Sequence, residues 1–447
     1  MKTKIIFLML VLASALPLGA QTFQGSFFMD NYRLGFRYNP ALTPDTGFIS
    51  VGDMMSYTAN NVGVSAFLYP RDGHLVTGLH SSVSSDEFMS SLKDINTLQS
   101  NMSYSLFSYG FAAGGAFHTI EVGARGKSRL SVPKDYFRFL KDGGQDLFSF
   151  SGTRMEGRLY TELAYGYSRK IGDKLKLGAR AKLLMGLYAA DYSFERFDLQ
   201  VSEEIISADI ETRLDMTNRM VSFGVEDGEI QFWDWQAPDD WLPAGAGLAL
   251  DFGLVWEPFD GFRIAAAVTD LGGLLWSYGN AAYSKDSFTF AGFNDITYNE
   301  MNVKDMFGRL KDMTKEVNDA APLMARDRRL AIERLPFNAN AGIRWRMPFY
   351  RALSAGFTGN YTAYDGMPYL EGRFAVDVTP LDWLDVCTSV GTGTNGLFWD
   401  VAAQLRLYRF RLNFGLQNGL GGTIPDWNDM PLTANAKAFV LGLTYDL

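Results

Sequence analysis

Two-residue alternation runs from about residue 47 to the end of this chain, with large apolar residues on one parity and polar, charged or glycine residues on the other. Only an extended backbone puts residues i, i+2 and i+4 on one face, so the pattern calls for β-strands. Lys174, Lys176, Gly178, Arg180 and Lys182 share one face of such a strand, opposite Leu175, Leu177, Ala179, Ala181 and Leu183. Arg409, Arg411, Asn413 and Gln417 oppose Phe410, Leu412, Phe414 and Leu416 in the same way. Asn338, Asn340, Arg344 and Arg346 oppose Phe337, Ile343, Trp345 and Met347, and Asp400, Gln404 and Arg406 oppose Val401, Leu405 and Leu407. Such strands fit a soluble sandwich, where the apolar parity meets a shared core, or a barrel, where it meets lipid.

Connection lengths separate the two. Candidate strands lie near 47–57, 60–69, 74–82, 101–111, 115–126, 157–169, 174–188, 244–256, 261–270, 337–347, 350–361, 368–378, 382–391, 397–407, 409–418 and 435–446. Tight turns recur at every second connection, at Pro70 to Gly73, Ala112 to Gly114, Gly172 with Asp173, Pro258 to Gly261, Pro348 with Phe349, Pro380 with Leu381, and Tyr408. The connections between them are mostly long, notably 83–100, 127–156, 189–243, 271–336 and 419–434. That rhythm belongs to an antiparallel meander with one rim in the periplasm and the other outside, and not to Greek-key crossovers. The expected fold is an all-β, transmembrane, up-and-down antiparallel barrel of 14–16 strands, the lower count applying because the turn at Asn60 is short for an outer connection. Within the 271–336 connection, Val303, Met306, Leu310, Met313 and Val317 are spaced for a short amphipathic helix.

Lys2, Lys4, the apolar run Ile5 to Ala15, and Pro17, Gly19 and Ala20 before Gln21 have the layout of a secretory signal, so residues 1–20 are expected to be removed. No later apolar stretch reaches the roughly 20 residues of a membrane-crossing helix. Residues 21–46 carry Phe23, Phe27, Phe28, Tyr32, Phe36 and Tyr38, too apolar for a free tail, and residues 47–447 form the barrel. The single cysteine, Cys387, rules out an internal disulfide and reads as a small apolar filler. The formal charge of -9, or -11 once Lys2 and Lys4 are lost, disfavours nucleic acid as a partner.

Three histidines leave little room for catalysis. Ser82 is the one same-face neighbour of His80, and the pair reads as strand-end polarity rather than a dyad. His74 and His118 have no second ligand at metal spacing. Glu203 with Glu204 and Asp239 with Asp240 read as solvated charge. The chain is expected not to be an enzyme and to need no metal or cofactor. Lys174, Lys176, Arg180, Lys182, Arg344, Arg346, Arg406, Arg409 and Arg411 are expected on the lumen face, either as a positive field for anions or paired with carboxylates in a network filling the pore. Asp270 with Gly272 and Gly273 reads as the turn leaving a strand at its outer end. Trp233, Trp235 and Trp241 read as an outer aromatic girdle.

Tyr38-Asn39-Pro40-Ala41-Leu42, Ser131 to Lys134, Gly178 to Gly186, and Val268 to Gly272 with Trp276 together resemble the Bacteroidota outer-membrane proteins grouped as DUF5723. More distantly the chain is similar to barrels of the FadL and PorV/PorP types. The resemblance implies an outer-membrane location in contact with lipid, and it assigns no activity. The FadL likeness implies that residues 21–46 fold back as a lumen plug bearing Asn39, Pro40 and Ala41, and that a small hydrophobic or amphipathic compound is bound or transported. The PorV/PorP likeness implies instead a non-conducting accessory of a type IX secretion or surface-assembly complex, with secretion-complex proteins as partners. The tail Leu443-Thr444-Tyr445-Asp446-Leu447 alternates like an outer-membrane strand but lacks the usual terminal aromatic.

Overall fold

Fourteen antiparallel strands pair in chain order and close on themselves in the computed structural model. The structure describes residues 27–29, 32–71, 74–144, 146–202, 205–218, 222–236, 243–290, 323–326, 329–363, 368–394, 396–419, 423–424, 430–431 and 436–447. The wall strands are β1 (Phe48–Asn60), β2 (Ile95–Ala113), β3 (Ala116–Pro133), β4 (Arg154–Ile171) and β5 (Leu175–Val201). They continue with β6 (Gly245–Phe259), β7 (Phe262–Tyr278), β8 (Asn338–Arg346), β9 (Leu353–Thr362) and β10 (Tyr369–Leu381). The last four are β11 (Leu384–Gly393), β12 (Gly396–Leu407), β13 (Phe410–Gly419) and β14 (Ala436–Asp446). Phe48 pairs with Gly110 of β2 on one side and Asp446 of β14 on the other, so the first and last strands seal the ring. A closed ring has no open edge, which is what lets a sheet satisfy its backbone in hydrocarbon.

The apolar parity faces outward: Leu248, Leu250, Phe252, Phe357, Phe374 and Leu443 are all exposed, while the alternate residues Asp251, Thr358, Arg373 and Thr444 are buried. That inversion, greasy outside and charged inside, suits hydrocarbon around the wall. At the short-turn rim, Tyr109, Phe111, His118, Tyr165 and Tyr167 form an interlocked aromatic group, with His118 stacked on Phe111 at 5.1 Å and its Nδ1 2.7 Å from the Tyr165 hydroxyl. Aromatics with a polar tip favour the membrane–water boundary.

Two sequence expectations are corrected. Segments 60–69 and 74–82 are not wall strands: Leu68–Arg71 and His74–Thr77 pair only with each other. They pack through Tyr69 against Phe88 of the helix Ser85–Ser90 and the neighbouring Ala66, Val83 and Leu92. The turn between them is therefore the tip of a hairpin in the first long connection, not a periplasmic turn. The second correction concerns 189–243 and 271–336, read as loops. There β5 runs on for 27 residues, roughly 90 Å at about 3.3 Å each. Further strands Ile206–Asn218, Ser222–Glu226, Glu229–Gln236, Asn280–Phe290, Met324–Arg326 and Arg329–Arg334 raise that side of the wall. Ile206–Asn218 does alternate, with Ala208, Ile210, Leu214 and Met216 on its buried parity, so its strand period is written in the sequence and the loop reading passed over it. The expected helix at 303–319 and the signal at 1–20 lie outside the described residues.

Candidate functional site

The N-terminal segment runs through the barrel interior and touches inward residues all round the ring. Phe27 and Phe28, 5.0 Å apart and edge to face, are buried among Val255, Ala265, Ala375, Cys387, Ala402 and Val440. Those six come from six different strands and are small or medium-sized, which leaves room for two rings at the centre. Glycine makes the next contact possible. A Cβ at Gly178 would overlap the backbone of Pro40, and one at Gly253 would overlap the Asn39 carboxamide. In the space so left, Asn39 Nδ2 donates to the carbonyls of Leu254 at 3.0 Å and Ala266 at 3.1 Å, and Asn340 Nδ2 donates to the Tyr38 carbonyl at 3.0 Å. Gly178→Ala is therefore expected to unseat Asn39 and Pro40, raising the rate of proteolysis between residues 27 and 47 in the folded barrel by at least about tenfold. Unchanged cleavage would show that the seat tolerates the methyl group.

Charges bind the segment to the wall. Arg37 Nε lies 2.6 Å from Glu121, whose other oxygen is 2.8 Å from Arg180. Arg180 reaches Asp251 at 3.7 Å, and Lys182 bridges Asp251 at 2.7 Å and Asp270 at 2.6 Å. Asp270 then meets Arg125 at 2.9 Å, and Arg125 meets Glu162 at 2.9 Å. Arg37 also meets Asp53 at 3.6 Å, so four cations interlock with five carboxylates, and Arg180 and Lys182 are charge-paired. On the opposite wall Arg373 holds Glu371 and Asp400, each at 2.6 Å, and Arg344 holds Asp377 at 3.3 Å. Arg411 and Arg33 share Asp446, each at 2.8 Å. Pairing is the condition on which charges persist in such a site, since an unpaired buried ion costs several kcal/mol.

Above this network, toward the long loops, lies a cavity of about 100 Å³. Met55, Met102, Leu274, Trp276, Leu335 and Pro336 give it apolar surface, while Asn101, Arg125, Lys127, Arg158 and Glu333 give it polar groups. Trp276 is buried and fixed by its indole N–H on Glu333 at 2.9 Å, a carboxylate that Arg158 also holds at 2.6 Å. Asn101 is buried with no partner for its Nδ2.

The cavity is opened by a fault in the wall. β7 pairs with β8 only up to Thr269 and with Arg329–Arg334 from Gly273 on. Between those two partners sit Leu335, Pro336 and Phe337 in irregular backbone, where Pro336 cannot donate to a ladder. Asp270 is the pivot. It takes φ +64°, a left-handed value that Asp and Asn adopt more readily than most residues, and its N–H donates to Asp251 at 2.8 Å.

Of the residues singled out in the sequence, Arg180, Lys182, Arg344 and Arg411 are buried in the lumen with carboxylates, and Lys176 donates to the Thr43 carbonyl at 2.8 Å. Arg346 is half-buried at the short-turn end of β8. Arg409 is corrected: it stands exposed in the turn between β12 and β13, with its guanidinium 5.9 Å from the Tyr408 ring. Arg406 and Lys174 are exposed at the same rim. Asp270 is corrected as well, lying inside β7 at a bulge rather than at its outer exit. His80 Nδ1 sits 2.8 Å from Ser82 Oγ and accepts from the Ser82 N–H at 3.2 Å, a local turn at the surface. Among the described residues no three of His, Cys, Asp and Glu converge as metal ligands. Trp233 and Trp235 lie on Glu229–Gln236, and Trp241, Glu203, Glu204, Asp239 and Asp240 lie outside the described residues.

Glu121, Glu162, Asp251 and Trp276 were not singled out as site residues. The carboxylates do have a local signature, each standing on the polar parity with an apolar residue following it. Nothing local says which cation each meets.

Residues 40–414 match the family described as "Family of unknown function (DUF5723)". Among curated proteins none matches. The Pseudomonas putida toluene transporter TodX is similar in structure at a TM-score of 0.48 and 8% identity, over 96% of this chain and 99% of that one. The Ralstonia pickettii toluene transporter TbuX gives 0.47 and 10%, over 97% and 99%. A Pseudomonas aeruginosa FadL homologue gives 0.48 and 12%, over 94% and 96%. Scores and identities this low leave the choice of ligand to this chain's own residues.

Proposed function

The chain belongs to the DUF5723 family, and we propose that it is an outer-membrane channel that binds and passes a small hydrophobic or amphipathic compound, with residues 21–46 as its plug. The observation that carries this reading is the cavity beside Trp276, where methionine, leucine and tryptophan side chains supply an apolar wall opposite charged and polar groups of the lumen network. Ligand sites combine apolar surface for affinity with fixed polar groups for orientation. The short-turn rim is assigned to the periplasm and the tall wall to the outside. The route runs from the long-loop side into the cavity, and the plug stands between that cavity and the short-turn rim.

Leu335→Trp, which fills the cavity from the irregular segment, is expected to weaken binding of a neutral aromatic probe such as 1-naphthol by about tenfold or more, a change of about 1.4 kcal/mol. Quenching of tryptophan fluorescence in detergent-solubilised protein reads it for the parent, and calorimetry for the variant. Equal affinity in the two proteins places the ligand elsewhere.

A further inference from the structure

A second cavity, of about 310 Å³, opens at the short-turn rim between the N-terminal segment and the β4–β5 turn. Its lining is mostly polar and carries Lys170, Lys174, Lys176 and Arg263 against Asp45, Asp173 and Glu257, with Arg33 at its inner edge. Lys170 and Lys176 stand directly opposite each other across the β4–β5 ladder. Like charges in that relation destabilise a sheet.

The nearby carboxylates relieve it only in part: Asp45 pairs with Lys170, and Asp173 stands exposed in the turn beside them. Glu257 is engaged by Arg263 at 2.8 Å, Arg33 by Asp446 at 2.8 Å, and Asp45 reaches Lys170 only at 3.8 Å from an exposed position. Lys176 uses one N–H on the Thr43 carbonyl and, among the described residues, makes no ion pair. Two of its three donors remain for a ligand.

We propose that this cavity binds a small oxyanion, a carboxylate or phosphate group held by Lys170, Lys174 and Lys176. Bound there, the anion turns a repulsive cross-strand pair into two attractive contacts. It also fastens residues 43–46, which line the same cavity, to the β4–β5 turn. The polar lining separates this site from the apolar cavity beside Trp276, so the proposal goes beyond the channel reading and does not depend on it.

The test uses the full-length protein in uncharged detergent at constant ionic strength, titrated calorimetrically with inorganic phosphate and, separately, with succinate. Saturable one-site binding of either anion is expected, weakened about tenfold or more in Lys170→Gln with Lys174→Gln, since charge-assisted hydrogen bonds are the strong ones. Both side chains in that variant are exposed, which keeps the fold intact. Lys176→Gln should abolish binding but also loosens Thr43, so the exposed pair decides. Phosphate should raise the thermal midpoint over sodium chloride in the parent and not in the variant. Absence of saturable binding by both anions overturns the proposal, as does equal affinity in parent and double variant. A chloride effect matching phosphate overturns it too, reducing the site to ionic screening.

Discussion

Phe27→Ala combined with Phe28→Ala is expected to convert a closed barrel into a conducting one. The two rings fill the centre of the ring of strands, and their neighbours Ala265, Ala375, Cys387 and Ala402 are too small to close the space behind them. Removing a buried phenylalanine costs about 3–5 kcal/mol where the surroundings cannot collapse, and a hydrogen-bonded barrel wall cannot. The loss falls on the seating of the N-terminal segment rather than on the wall, whose ladders do not involve these side chains. In planar bilayers the parent should show no steady conductance and the double variant discrete open steps, with the folded electrophoretic mobility retained. A closed double variant would mean that Asn39, Arg37 and the ion pairs occlude the lumen without the rings.

Asp270→Asn is expected to be the most destabilising single change among the lumen charges. It leaves Lys182 with Asp251 alone and Arg125 with Glu162 alone, so two buried cations each lose one of their two carboxylates. Breaking a buried pair from one side costs about 3–5 kcal/mol. Asparagine tolerates the left-handed backbone at φ +64° nearly as well as aspartate does, so the substitution isolates the charge. Asp270→Gly should be at least as harmful, although it relaxes the backbone. Asp270→Asn with Lys182→Met should recover part of the loss, because one of the two cations left short of a carboxylate is gone. The temperature at which the barrel loses its folded mobility in detergent measures all three. Glycine stabilising the protein would make backbone strain, and not charge, the dominant property of this position.

Much of the architecture was legible along the chain because the physics that encodes it is local. Leu175 to Met185 alternates because each successive residue of a wall strand meets lipid or lumen, and that choice is written one residue at a time. The tight turns at Gly172 and Tyr408 are likewise set by a few neighbouring residues. Ile206–Asn218 carries the same two-residue trace, with Ala208, Ile210, Leu214 and Met216 against Asp209, Glu211, Arg213 and Asp215, although it lies in a connection read as loop. The pair 60–69 and 74–82 carries a strand period, but only Leu68–Arg71 and His74–Thr77 extend, they pair with each other, and the ring closes without them.

The site was far less legible than the wall. Arg180 and Lys182 could be placed on the lumen face from parity alone, yet parity does not give their partners. Arg37 meets Glu121 across 84 residues, and Asn39 meets Ala266 across 227. Such contacts exist only once β1 has paired with β14 and fixed which strands face one another across the lumen. Asp270 was misread for the same reason. An aspartate followed by Leu-Gly-Gly looks like a strand exit, and only the change of partner from β8 to Arg329–Arg334 makes it a bulge inside a strand. The sequence by itself determined the strands, their lipid-facing parity and the two unequal rims, because each depends on near neighbours and solvent. Tertiary structure alone decided the count of fourteen, the seat of Phe27, Phe28 and Asn39, and the balance of lumen charge, because each is a property of ring closure.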